Sequence, residues 1–249
     1  LKWGNKNTYL DIYNKIQKKN YKEIDNYEKN FKNKIGSNWL NELALQTQVV
    51  IKKSEIDYVI AIYTLGKSGS SSLLSTLQRK FSIFNVYQLH FINCDYIREN
   101  HSDDFAVRNI DKANNFLRKH SKNNIKYISL VREPVSREIS SFYQNRQLYF
   151  KDVLPNDFKE INNLIESRGY DLALNWFDYE LKKHLNFDVY SQSFDKAKGF
   201  SIYKIDSNAE LMILRTDCIN KFGIVAINKF LNTDIKQMKT ANIGNNKSN

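Results

Sequence analysis

A short apolar run, Tyr58-Val59-Ile60-Ala61-Ile62-Tyr63, passes directly into a glycine- and serine-containing turn and then into an apolar-periodic stretch from Leu73 through Leu77. Crowded β-branched and aromatic residues without polar alternation predict a strand buried on both faces, as in parallel sheets. The turn, Thr64 to Ser72, has to connect that strand to a helix. Strand, tight loop and helix in this order open a βαβ unit and commit the chain to an α/β fold.

The rest of the chain continues the alternation. Strands are expected over Ile83 to Leu89 and Ile125 to Val131, and a short one over Leu211 to Leu214. Phe187 to Phe194 and Phe200 to Ile205 read as strands or a hairpin. Helices are expected over 103–120, from Val135 to about Tyr149, over 157–185 and from Ile219 to Leu231. Residues 1–55 read as a Lys-rich helical N-terminal extension with solvated faces, including a helix capped near Ser37 or Asn38 and running to about Lys52. Thr240 to Asn249 reads as a polar loop. With 249 residues and no internal repeat, the expectation is a single domain. Its core, over 56–249, is a P-loop-like three-layer α/β/α arrangement around a central, mainly parallel sheet.

The net charge is +11. A chain crowded with Lys, Asn and Ile reaches such a value through composition alone. The same field also attracts polyanions: a nucleotide, an acidic glycan or a membrane surface. The two cysteines, Cys94 and Cys218, make neither a disulfide framework nor a metal-type spacing, so a reducing, cytoplasmic setting is expected. No metal site is expected. No apolar run reaches 18 residues, which leaves association at the inner face of a membrane as the expected extent of membrane contact. The chain starts at Leu1, so an upstream anchor is left open.

The loop Gly66-Lys67-Ser68-Gly69-Ser70-Ser71-Ser72 has the makings of an anion cradle. A loop that opens a helix presents backbone N–H groups and the positive end of the helix dipole. Gly66 and Gly69 permit close approach, the serines add hydroxyls, and Lys67 adds charge. Gly66-Lys67-Ser68 is not the triphosphate-binding loop, which needs a glycine five residues earlier. That position is Ala61, inside the strand. The third strand runs into Arg132 and not into an acidic metal ligand.

Arg132 lies at the carboxyl end of the third expected strand, where open α/β sheets bind ligands. Pro134 suits the first turn of the next helix. Ser140 follows Arg132 by eight residues, a little over two turns into that helix. An arginine fork and a hydroxyl together suit a phosphate.

These two segments resemble the PAPS-dependent sulfotransferases. In that family a Lys-Ser/Thr-Gly-Ser/Thr-Ser/Thr loop grips the 5′-phosphosulfate of 3′-phosphoadenosine 5′-phosphosulfate (PAPS). An Arg-x-Pro strand end and a serine eight residues on grip its 3′-phosphate. Lys67, Ser68, Gly69, Ser70 and Ser71 match the first pattern; Arg132, Pro134 and Ser140 match the second. The resemblance covers residues 58–145 well, is loose beyond them and does not reach 1–55. Within it the nearest likeness is to the bacterial capsular polysaccharide synthesis proteins, then to glycan sulfotransferases of the heparan sulfate 2-O type.

The resemblance implies PAPS as donor, 3′-phosphoadenosine 5′-phosphate (PAP) as product, and a hydroxyl acceptor, with a saccharide expected. It implies Lys67 as the catalytic charge and His90, closing the second strand, as general base. Asp95 and Glu99 are fallback bases. His101, His120 and His184 are expected at the surface. Asn242, Gly244 and Lys247 resemble a late nucleotide-covering loop, with Lys247 as its basic residue. Arg137 is expected to pair at the surface with Glu133 or Glu138, contact with the nucleotide being the other reading, and Trp176 and Tyr179 to pack in the core. A phosphate-loop kinase and a non-catalytic polyanion-binding module are the competing classes. Nucleic-acid binding is not expected, since no recognised motif accompanies the charge.

Overall fold

The computed structural model describes residues 56–101, 103–150, 158–167 and 169–239. The helices expected in 1–55, the tail beyond Lys239 and Lys247 with it lie outside the described residues.

A five-stranded sheet forms the centre, in the order β2-β1-β3-β5-β4. Its strands are β1 (Tyr58–Tyr63), β2 (Val86–Leu89), β3 (Asn124–Val131), β4 (Phe200–Lys204) and β5 (Ala209–Arg215). The first four in spatial order are parallel; β4 runs antiparallel at the edge. Around the sheet lie α1 (Ser70–Lys80), α2 (Asp95–Asn100), α3 (Asp104–His120), α4 (Pro134–Phe150), α5 (Phe158–Ser167), α6 (Asp171–Trp176) and α7 (Ile224–Leu231).

Successive strand residues point to opposite faces, and both faces are dry. Val59, Ala61 and Tyr63 of β1 join one core cluster with Phe116 of α3, Trp176 and Leu181. Ile60 and Ile62 join the other with Leu73 and Leu77 of α1 and Phe230 of α7. Helices on both faces of a mostly parallel sheet make the expected three-layer α/β/α fold. Among the described residues no helix is long and apolar enough to cross a membrane.

Several expected boundaries move, each for a local reason. β2 starts at Val86 and not at Ile83, because the Ser82 hydroxyl accepts from the Phe84 N–H at 3.2 Å and the Ser82 carbonyl from the Asn85 N–H at 3.0 Å. That turn leaves Ile83 exposed. The expected helix 157–185 is broken: Gly169, at φ 67°, ends α5, and after α6 the chain widens into a π-helical turn, Phe177–Lys182. Phe187 to Phe194 forms no strand; the Asp188 carboxylate accepts from the Tyr190 N–H at 3.0 Å and winds Val189–Ser191 into a 3₁₀ turn. The closing helix begins with another π turn, Ile219–Gly223, before α7. The short α2 has too few residues to show a period.

Thr64, fully buried at the end of β1, ties the two central strands together beyond their ladder. Its Oγ1 donates to the Leu130 carbonyl at 2.7 Å and accepts from the Leu130 N–H at 3.2 Å. Thr64→Val keeps the shape and removes both bonds. Buried groups left without partners cost about 1–3 kcal/mol each, so a loss of roughly 2–4 kcal/mol is expected in urea unfolding.

Candidate functional site

The sheet order places β1 and β3 side by side while their outgoing connections diverge. The chain leaving β1 returns as β2 on one side, and the chain leaving β3 goes on to β5 and β4 on the other. Such a divergence opens a crevice at the carboxyl edge, the usual ligand position in open α/β sheets. The loop 64–69 follows β1 into that crevice, and Arg132 follows β3.

The two segments touch. Arg132 donates from Nη1 to the Lys67 carbonyl at 3.0 Å. Arg137, one helical turn into α4, donates from Nε to the adjacent Gly66 carbonyl at 3.0 Å. Because the peptide unit is planar and trans, a carbonyl fixed in one direction turns the N–H of the same unit the opposite way. Both arginines therefore set the directions of the Lys67 and Ser68 N–H groups. Thr216, just past β5, donates to the Val131 carbonyl at 2.8 Å and lies 3.4 Å from the Ser68 carbonyl, joining β5 to the same loop. A cleft of about 750 Å³ runs from Ser68, Arg132 and Arg137 past Trp176 and Tyr190 to Thr216.

Lys67 has φ 73° and Gly69 φ 85°. The left-handed region suits glycine and costs an ordinary residue about 1–3 kcal/mol, a strain that gathers at ligand sites. Gly69 is the N-cap of α1 and supplies no side chain to the first-turn N–H groups. Ser68 and Ser70 are buried. The Ser68 hydroxyl donates to the Leu65 carbonyl at 2.8 Å, and Ser70 accepts from Gln88 Nε2 at 2.7 Å. Both brace the loop. Ser71 is exposed and Ser72 half-buried at the start of α1; Ser140 is half-buried on α4.

His90 stands directly after β2, on the same sheet edge. Its Nδ1 lies 2.7 Å from the Thr64 carbonyl. A carbonyl only accepts, so Nδ1 carries the proton and Nε2 a lone pair. Nε2 approaches the loop closely enough that a Cβ on Gly66 would lie 3.8 Å from it. Burial lowers the pKa of His90 below the ordinary 6.5; the Thr64 bond opposes this, and Lys112, Arg137 and Lys67 lower it further. The ring is therefore neutral at pH 7.

Other assignments change. Arg137 and Glu138 do pair, but in the interior: their side chains keep only 11% and 9% of their accessible surface. Glu133 caps α4 instead, accepting from the Val135 and Ser136 N–H groups at 2.8 and 2.7 Å. Those bonds hold its carboxyl below the ordinary range. His120 is buried against Tyr87 and Phe116, not exposed. His184 is half-buried edge-on to Tyr63 and Tyr127, and burial pushes its pKa down to about 4. His101 is exposed, as expected. Asp95 is engaged with Arg98 at 3.2 Å and Lys183 at 3.7 Å, and Glu99 is exposed. Trp176 is buried, as expected, but Tyr179 bonds to Asp171 near the surface.

Thr64 and Thr216 escape a reading by motif. Arg137, expected in a surface pair or against the nucleotide, instead grips the backbone of the loop.

Fold and loop together define an α/β protein with an anion-suited crevice at the sheet's switch point. Over residues 150–249 the chain matches the family described as "Putative capsular polysaccharide synthesis protein". This relates it to capsular polysaccharide synthesis through a stretch that contains α6, β4 and β5 but neither Lys67 nor Arg132. No curated protein and no solved structure matches the chain.

Proposed function

We propose that the chain is a sulfotransferase that moves a sulfuryl group from PAPS to a hydroxyl of a saccharide, such as a capsular or other surface polysaccharide. The observation that carries this reading is the bond from Arg132 to the Lys67 carbonyl. It puts a guanidinium suited to one phosphate beside a loop suited to another, the juxtaposition a doubly phosphorylated nucleoside calls for. The polysaccharide family matched over residues 150–249 supports the acceptor class.

In this reading the 66–72 loop holds the 5′-phosphosulfate, and Arg132 and Ser140 hold the 3′-phosphate. His90 Nε2 takes the acceptor's proton as the acceptor oxygen bonds to sulfur. The bond from sulfur to the bridging oxygen breaks, PAP departs, and Lys67 balances the charge developing on that oxygen. The cleft beside Leu174, Phe177 and Tyr190 offers the saccharide apolar and aromatic surface.

Incubation with ³⁵S-labelled PAPS and a panel of surface polysaccharides tests the reading. Label in polymer supports it; no transfer, together with tight binding of ATP and magnesium alone, favours the kinase. Arg132→Ala should weaken PAP binding about 10- to 150-fold, the loss of a hydrogen bond to a charged group. Arg132→Lys should recover only part, since an ammonium cannot fork across two oxygens. Thermal shift with PAP reads both.

A further inference from the structure

We infer that Glu180 is a positioning residue: together with Trp176 it fixes the segment after β2 and so sets the direction in which His90 presents Nε2. The inference rests on the sulfotransferase reading only for what His90 then does.

Glu180 lies on the π turn Phe177–Lys182 and is fully buried. Its Oε2 accepts from the Tyr63 hydroxyl at 2.6 Å, the Ile92 N–H at 2.6 Å and the Asn93 N–H at 3.0 Å. Its Oε1 accepts from the Cys94 N–H at 3.3 Å. Three successive N–H groups thus converge on one carboxylate. Such concave runs of backbone donors hold anions, and Cys94, at φ 63°, makes the bend. Around this grip, Trp176 Nε1 donates to the His90 carbonyl at 2.9 Å and Asn93 Nδ2 to the Tyr179 carbonyl at 3.1 Å. Residues 90–94 are stitched along their length to residues 176–180. The imidazole is fixed at its other end by the Thr64 carbonyl.

A buried carboxylate is a poor device for stability alone. Burial raises its pKa even against four hydrogen bonds, and an apolar replacement of the whole arrangement is often neutral. What it supplies is direction: four donors accept one arrangement of the segment. A π turn is a frequent marker of a functional position within a helix. Glu180 and Trp176 fall inside the stretch matched to the capsular polysaccharide family, and His90 lies outside it. The clamp is therefore a place where that stretch acts on the anion-binding half of the molecule.

Nitrogen-15 NMR of the full chain, labelled at histidine, reads the tautomer and titration of His90 without substrate. In the unaltered protein we expect one tautomer, protonated at Nδ1, titrating below 6.5. In Glu180→Gln the amide carries its own donors toward backbone donors, so the segment shifts, the Nδ1 bond to Thr64 loosens and both tautomers should appear. Because that bond raises the pKa of His90, its loss should move the titration further down. Tyr63→Phe, which removes one of the four donors, should move it less, in the same direction. The maximal transfer rate of Glu180→Gln should fall on the order of 10- to 100-fold, as for a misplaced catalytic group, with little change in the nucleotide's KM. A His90 unchanged in tautomer and titration in both folded variants overturns the inference; if Glu180→Gln does not fold, Tyr63→Phe alone decides. Movement of the His90 signals in a protein that never transfers sulfate leaves the clamp standing and rejects the reaction.

Discussion

Lys67→Ala is expected to lower the rate of sulfuryl transfer on the order of 10²- to 10³-fold, the usual result of removing one preorganised group from developing charge. The loss should fall on kcat. Lys67 already occupies the left-handed region at φ 73°. Alanine there inherits the same backbone strain and adds none, so the loop conformation should persist. The carbonyl that Arg132 holds belongs to the backbone and survives the substitution. Stability should therefore change little. PAP binding should weaken, since Lys67 belongs to the loop given to the 5′-phosphate, but by less than the rate falls. Lys67→Arg keeps a charge but moves its centre along a longer, planar group, and should recover only a minor part. Single-turnover transfer measured beside urea unfolding checks both halves. A Lys67→Ala protein with an unaltered single-turnover rate rejects the role given to the ammonium.

His90→Ala should cost about 10²- to 10⁴-fold, the range for a general base. The pH dependence identifies the cause. The base works when Nε2 is unprotonated, so the rate rises with pH through the pKa of His90 and levels above it. Burial puts that pKa below 6.5, so the rate should be flat across neutral pH and fall only on the acid side. In His90→Ala the acid limb contributed by this residue should vanish along with the rate. Full activity in His90→Ala, or an acid limb that stays where it was, assigns the proton to another group. The Thr64 carbonyl accepts the Nδ1 proton at 2.7 Å, and its loss of a partner makes some destabilisation of His90→Ala expected as well.

The central strands were legible because their chemistry is extreme. Tyr58 to Tyr63 is an unbroken run of apolar and aromatic residues, and Leu211 to Leu214 of β5 is another, so burial on both sheet faces was written into composition. The anion-suited loop was legible for a different reason: Gly66 and Gly69 bracket a lysine directly after such a strand. Less legible were features decided by single side chains acting on nearby backbone. Ser82 and Asp188 each wind a turn where apolar content alone predicts a strand. Glu180 is the clearest instance. On a helix periodic enough to pass as solvated on its polar face, it turns inward because four donors, distant in sequence, meet there. Arg137 was hidden similarly, since adjacent Glu138 made a surface pair the simpler expectation, whereas the pair is buried behind the loop. Pairing partners from other elements carry no local signal.

For a sulfotransferase of this kind, one crevice must hold both phosphates of one nucleotide. Calorimetric titration with PAP and with adenosine 5′-monophosphate, on the unaltered chain and on Arg132→Ala, addresses that directly. The expected result is one PAP per chain, with the monophosphate weaker by about 10- to 150-fold, and the gap closing in Arg132→Ala because the 3′-phosphate has lost its partner. Equal affinity for the two nucleotides, or a gap that Arg132→Ala leaves untouched, would contradict it.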